Sequence, residues 1–251
     1  MKIKQWDHQN DSTERHETVF TDILGSNLPP QEKTVTRLQQ EAGSVVGAAI
    51  ETSKATLSVT SFHILHNPEI LRRLKTELRE ARFSDPEKPT WPELEQLPYL
   101  TAVIKEGLRL SSGVIQRLPR ISKHNAIQYG TYSIPPGTPF SMSSYIQHTS
   151  PVFNDCFAFN PDRWLTTVKV ASAPGREEKS LDRFFIPFSK GTRSCLGQHL
   201  AWAELYIGLA TLFRRVDLAL FKTGPEDVSV AREYFVPLPP AETKGVRATV
   251  R

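Results

Sequence analysis

The chain has 251 residues, of which 39% are hydrophobic and 23% are charged. This length and composition suffice for one globular domain or a tight pair of domains, and they exclude low-complexity and collagen-like proteins. The formal net charge of +4 arises from 31 basic and 27 acidic residues without long runs of one sign, so we expect no nucleic-acid partner.

Hydrophobic periodicity predicts a mainly helical chain with a minor sheet. Apolar residues recur every three or four positions in the helical segments, and the segment 42–50 carries so little charge that we expect it to be buried on most sides. In chain order we predict a short helix within 13–25, a long helix over 32–66, a helix capped by Asn67-Pro68 and a helix over 99–110. Hairpins over 127–134 and 138–146 and a loop-dominated stretch over 147–194 follow. The chain ends with a helix over 196–215 and strands over 216–221 and 229–236.

The two cysteines, Cys156 and Cys195, cannot form a disulfide framework. Cys195 directly precedes the last predicted helix, and the positive end of a helix stabilises a thiolate that can bind metal or act as a nucleophile. Gly191 and Gly197 permit a tight turn and the close approach of a flat group. A lone cysteine at such a position would more simply be a buried structural residue.

Four segments fit the motifs of one protein family in the order in which that family has them. They are residues 48–53 (AAIETS), 106–109 (EGLR), 159–164 (FNPDRW) and 188–197 (FSKGTRSCLG). The chain thereby resembles the fungal cytochrome P-450 monooxygenases from about His16 to its C-terminus. This resemblance implies a mainly α fold with a minor β-sheet.

Members of that family are about twice as long as this chain. The resemblance therefore implies that residues 1–251 form a single partial domain, the C-terminal half of the family fold. We expect the family's membrane anchor, its Trp-x-x-x-Arg helix and most of its substrate-recognising wall to lie outside this sequence.

The resemblance implies a haem b cofactor whose iron takes the Cys195 thiolate as its axial ligand. Arg193 and Arg120 occupy positions at which the family pairs arginines with the haem propionates. The remaining haem-binding residues of the loop would be Phe188, Gly191 and Gly197.

Two further groups of residues take their roles from the same resemblance. Thr52 would donate a hydrogen bond in oxygen activation and Glu51 would feed protons to it, although Ala49 stands where the family usually has glycine. Glu106, Arg109 and Arg163 would form a structural ionic network, and the spacing of Glu106 and Arg109 lets their side chains meet on one helix face.

The function implied is that of a haem-thiolate monooxygenase that inserts one oxygen atom from O2 into a lipophilic small molecule of secondary metabolism. NADPH would supply electrons through a reductase, and the family's location is the endoplasmic reticulum membrane, although we find no anchor in this sequence. Two alternatives stay open: isomerase-type chemistry without O2, which Ala49 permits, and an inactive truncated fragment.

Overall fold

The structure is a computed structural model that describes residues 18–172 and 175–251. It divides into two compact units, residues 1–50 and residues 51–251, which we describe separately. The helices are α1 (Val19–Gly25), α2 (Val35–His66), α3 (Pro68–Glu80), α4 (Trp91–Leu94), α5 (Pro98–Ser111), α6 (Ser144–His148) and α7 (Gln198–Arg215).

The strands that the structure describes pair into small two-stranded antiparallel sheets. The pairs are β1 (Arg120–Ile121) with β4 (Pro139–Phe140), β2 (Ile127–Tyr129) with β3 (Tyr132–Ile134), β5 (Lys169–Ala171) with β6 (Glu178–Ser180), β7 (Leu218–Leu220) with β10 (Ala248–Val250), and β8 (Arg232–Tyr234) with β9 (Val236–Leu238). The prediction of a mainly α chain with minor β structure is confirmed.

Several local predictions were wrong. Residues 144–146 belong to helix α6 rather than to the predicted hairpin, and the Ser143 and Ser144 hydroxyls attach the start of this helix to the 112–115 turn by donating to carbonyls there. The pair β5–β6 lies within the stretch predicted to be dominated by loops, and strand β10 was missed.

The first unit contains α1 and the N-terminal part of α2. The Thr18 hydroxyl accepts a hydrogen bond from the backbone N–H of Thr21 and so caps α1. The segment 42–50 was predicted to be buried, but Val45, Val46 and Ile50 are 46%, 54% and 56% exposed. The prediction was wrong because the absence of charge shows only that a segment is apolar. The absence of charge does not show whether another element packs against that segment.

The core of the second unit is formed by α3, α5 and α7 together with the C-terminal half of α2. The helix start predicted from Asn67-Pro68 is confirmed, because the Asn67 side chain accepts hydrogen bonds from two N–H groups of α3. Glu77 of α3 accepts hydrogen bonds from the N–H groups of Tyr99 and Leu100 at 2.8 and 2.7 Å, so it caps α5 across the helix interface. The fully buried side chains include Phe62, Ile64, Leu74, Leu78, Leu100, Ile104, Leu205 and Leu209.

Helices α2 and α5 are in close contact at Gly107. A Cβ atom built on Gly107 would lie 1.9 Å from the Thr60 hydroxyl oxygen, which donates to the carbonyl of Thr56 at 2.7 Å. One turn away, the buried hydroxyls of Thr56 and Ser111 are hydrogen-bonded at 3.0 Å. The absence of a side chain at position 107 therefore sets the distance between the two helices.

We predict that Gly107→Ala lowers the free energy of unfolding by about 2 kcal/mol, because overpacking outweighs the helix propensity that alanine adds. Urea denaturation measures this change. Gly47→Ala is the control, because nothing lies within 4 Å of its added Cβ. Thr60→Ala introduced into Gly107→Ala should restore part of the loss, and additive effects of the two substitutions would contradict the steric explanation.

Candidate functional site

A buried carboxylate on α5 organises the candidate site. Glu106 is 0% exposed and accepts two hydrogen bonds from Arg109 of the same helix, at 2.9 and 2.8 Å. Three more donors come from the 160–164 turn: the N–H of Asn160 at 2.9 Å, Arg163 Nε at 3.0 Å and Trp164 Nε1 at 2.9 Å. One carboxylate therefore fixes the whole turn against α5.

Arg109 is equally buried, and its guanidinium donates five hydrogen bonds, one for each of its N–H groups. Besides the two bonds to Glu106, its guanidinium donates to the carbonyls of His148, Cys156 and Ala158. These bonds offset the desolvation of the charge and attach the 148–158 loop to α5. Cys156, which had no role predicted from the sequence, contributes through its backbone carbonyl.

Arg163 completes the group of three charged residues. Its Nε donates to Glu106 and its Nη1 donates to the carbonyl of Asn154 at 2.9 Å. Its Nη2 is buried and has no hydrogen-bonding partner among the described residues. The structure thus brings together the three residues that the resemblance grouped, and sequence reasoning missed the contributions of Asn160 and of the carbonyl oxygens.

His148 adjoins this network through its backbone carbonyl, which accepts a hydrogen bond from Arg109, and it was not anticipated from the sequence. The residue is fully buried, its Nε2 accepts a hydrogen bond from the N–H of Ile186 at 3.0 Å, and its ring stacks on Phe185. Burial, reinforced by the Arg109 charge, lowers the pKa of His148 from 6.5 to about 4. The imidazole is therefore neutral at pH 7.

The loop that carries Cys195 is closed by its own backbone. The N–H of Cys195 donates to the carbonyl of Phe188 at 2.9 Å, and the N–H of Ser194 donates to that of Gly191 at 3.0 Å. Ser189 and Gly191 adopt positive φ angles of 61° and 78°, and the thiol of Cys195 is free and exposed. The prediction that Cys195 directly precedes the helix was wrong, since α7 begins at Gln198.

The other loop residues have separate surroundings. The Phe188 ring packs against Trp202 of α7, with ring centroids 5.9 Å apart. A Cβ added at Gly191 or Gly197 would meet nothing within 4 Å. The exposed side chain of Arg193 has no hydrogen-bonding or ionic partner in residues 18–172 and 175–251.

Arg120 lies on strand β1, which pairs with β4. Its guanidinium donates to the carbonyls of its chain neighbours Pro119 and Leu118, at 3.1 and 3.4 Å. These neighbours carry no charge, so the described residues do not neutralise the charge of this arginine.

Glu51 and Thr52 lie in the middle of α2. Glu51 is exposed and pairs with Lys54 at 2.5 Å. The next residue, Ser53, donates a hydrogen bond of 2.7 Å to the carboxylate of Glu204 on α7. Helix α2 therefore contacts α7, the helix that follows the cysteine loop, and it does so at Ser53, the residue after the Glu51-Thr52 pair.

The described fold and site define a mainly helical protein in which a buried carboxylate–guanidinium network accompanies an exposed cysteine in a closed loop. A profile of the cytochrome P-450 family matches residues 1–244. The chain belongs to this family.

Three fungal relatives give the extent of the similarity. The chain is 46% identical over 239 residues to the cytochrome P-450 monooxygenase orf6 of Eupenicillium brefeldianum, covering 94% of this chain and 47% of that protein. It is 44% identical over 240 residues to the cytochrome P-450 monooxygenase sdnE of Sordaria araneosa, covering 95% of this chain and 46% of that protein. It is 43% identical over 246 residues to the tryptophan 6-hydroxylase fscE of Fusarium equiseti, covering 97% of this chain and 46% of that protein. The chain thus spans about half the length of the curated relatives it matches.

We predict that Glu106→Gln lowers the free energy of unfolding by about 3–5 kcal/mol, because it leaves two buried guanidinium groups without their counter-charge. Trp164→Phe removes only one donor and should cost about 1 kcal/mol. Chemical denaturation measures both changes. Glu69→Gln, which breaks an exposed pair with Arg72, is the matched control and should leave stability unchanged. A loss at Glu106 no larger than that at Glu69 would contradict the structural role of the network.

A second prediction concerns the pH dependence of stability. The pKa of His148 is lowered to about 4 in the folded protein. The folded state is therefore most stable, with respect to this residue, above pH 6.5, and that stability is lost as the pH falls towards 4, because only the unfolded chain then binds the proton readily. The pKa of His63, lowered to about 4 mainly by burial, adds a loss of the same sign. Between pH 7 and pH 4, the free energy of unfolding of His148→Gln should therefore fall by about 3 kcal/mol less than that of the parent chain.

Urea midpoints measured between pH 7 and pH 4 test this prediction, with the exposed His124→Gln as control. An unchanged slope in His148→Gln would contradict it. The pKa of Glu93 is lowered from 4.5 to about 2 by hydrogen bonds from Ser84 and Thr90, so the stability it contributes is lost only below pH 4.5, at the acid end of this window and equally in all variants compared.

Proposed function

We propose that this chain carries the haem-thiolate site of a monooxygenase that inserts one oxygen atom from O2 into a lipophilic small molecule. The observation that carries the proposal is the free, exposed thiol of Cys195 at the end of a backbone-closed loop that fits the family's FxxGxRxCxG motif. Membership of the cytochrome P-450 family supports this reaction class.

The residues of the loop suit a flat, dianionic group such as haem b. The open space at Gly191 and Gly197 admits a ring close to the backbone, and the exposed Leu196 offers an apolar surface. The unpartnered Arg193 and the charge of Arg120 suit the two propionates. The Cys195 thiolate binds the iron, and haem supplies the binding and reductive activation of dioxygen.

The residues of α2 handle the proton. The Thr52 hydroxyl gives its proton into the pocket, and Glu51 replaces that proton with one taken from water, which reaches this carboxylate because its side chain is 51% exposed. Ala49 adds a methyl group where the family usually has glycine. The network of Glu106, Arg109 and Arg163 is structural and takes no part in proton transfer.

We also propose the partners of the complete protein. An NADPH-dependent flavoprotein reductase supplies the electrons, the substrate belongs to secondary metabolism, and the location is the endoplasmic reticulum membrane. Residues 1–251 form a single partial domain of the family fold. In the described part of the chain, no helix combines the length and the hydropathy that crossing a bilayer requires.

We predict that the purified chain binds haem stoichiometrically and that its reduced, carbon-monoxide-treated form has a thiolate-type Soret band. Cys195→Ser should abolish that band, because a hydroxyl does not replace the thiolate as a ligand. Cys156→Ser is the matched control and should retain it.

The competing hypothesis is an inactive truncated fragment. A chain that binds no stoichiometric haem and exposes apolar surface to a hydrophobic dye would overturn the proposed site. A band that survives in Cys195→Ser would overturn the assignment of the ligand.

A further inference from the structure

Glu204 is the one charged residue within the 200–213 segment of α7. The residue is half-buried, and its Oε2 accepts the hydrogen bond from Ser53 Oγ at 2.7 Å. A carboxylate in such a position is costly unless it is hydrogen-bonded, so the bond to Ser53 stabilises its placement between the two helices.

This bond attaches α2 to α7 at the residue that follows Thr52. The hydroxyls at positions 53, 56 and 60 follow one face of α2: Ser53 bonds to α7, Thr56 bonds to Ser111 of α5, and Thr60 lies against Gly107 of α5. Neighbouring residues on a helix are about 100° apart around its axis. A rotation of α2 that breaks the Ser53 bond therefore also redirects the side chain of Thr52.

The same bond connects α2 to the segment that carries the iron ligand. Helix α7 starts three residues after Cys195, and the N–H of Ala201 donates to the carbonyl of Gly197 at 2.9 Å, which joins the cysteine loop to the first turn of the helix. Glu204 lies one turn further along α7. The Ser53–Glu204 pair thus joins the elements that bear Thr52 and Cys195.

We propose that Glu204 is a positioning residue, whose hydrogen bond with Ser53 fixes the rotation of α2 so that the Thr52 hydroxyl faces the haem pocket. This inference rests on the proposed function. It assigns Glu204 no contact with substrate or cofactor, and it gives Ser53 a role different from those of Thr52 and Glu51.

Hydrogen–deuterium exchange of the chain tests whether the Ser53–Glu204 hydrogen bond holds α2 in place. Ser53→Ala and Glu204→Leu should each raise amide exchange at residues 51–56 by about tenfold, as expected for the loss of a hydrogen bond to a charged group. Glu204→Gln keeps an acceptor oxygen and should stay close to the parent chain. Ser111→Ala removes a hydroxyl contact of α2 to α5 and is the matched control, which should leave residues 51–53 unchanged.

Imidazole binding to the ferric, haem-loaded chain tests the functional half, because this ligand reports on the surroundings of the iron. Followed by the Soret shift, its Kd should change in Ser53→Ala and Glu204→Leu in the same direction as in Thr52→Ala, by at least roughly threefold. Ser53→Ala added to Thr52→Ala should produce no further change. The single variant Ser111→Ala should bind imidazole like the parent chain.

Exchange that is unchanged at residues 51–56, or imidazole affinities that are unchanged or purely additive with Thr52→Ala, would overturn the positioning role while leaving the haem proposal intact. Absence of the thiolate-type Soret band in the parent chain would instead be the failure of the proposed function. The role assigned to Glu204 would then fail with it.

Discussion

The carboxylate of Glu106 receives hydrogen bonds from its own helix and from the 160–164 turn, and it does so with no exposure to solvent. A buried charge of this kind is tolerated only where almost all of its hydrogen-bonding capacity is used. Arg109 meets the same requirement by reaching carbonyls that lie far away in the chain. The desolvation of Glu106 and Arg109 is offset only while the 148–158 loop and the 160–164 turn supply their hydrogen bonds. These two segments are therefore held in fixed positions around α5.

Helix α5, held in this way, is the surface against which α2 is placed. Gly107 lets Thr60 approach, and the Thr56–Ser111 hydrogen bond fixes the neighbouring turn. Helix α7 adds Glu204 as a second attachment. Small and hydroxyl-bearing residues make these crossings specific, since an aliphatic contact would tolerate sliding that a hydrogen bond does not.

The sequence predicted what depends on local signals and missed what depends on long-range partners. Asn67 and Pro68 determine the start of α3 through neighbouring backbone groups, and the three-residue spacing of Glu106 and Arg109 suffices to bring them into contact. The contacts of His148 and Asn160 join residues far apart in the chain, and no periodic pattern in the sequence predicts them. Cys195 was assigned to a helix start because an apolar run was assumed to begin at Leu196, whereas the backbone hydrogen bond to Phe188 extends the loop to Gly197.

The cysteine loop is closed by main-chain hydrogen bonds and includes two residues with left-handed backbone conformations. These hydrogen bonds and the positive φ angles of Ser189 and Gly191 together restrict the backbone of the segment. A β-branched side chain at position 191 would be strained by that backbone conformation, although the space around an added Cβ atom is open. The requirement that position 191 places on the sequence is therefore one of backbone conformation and not one of packing.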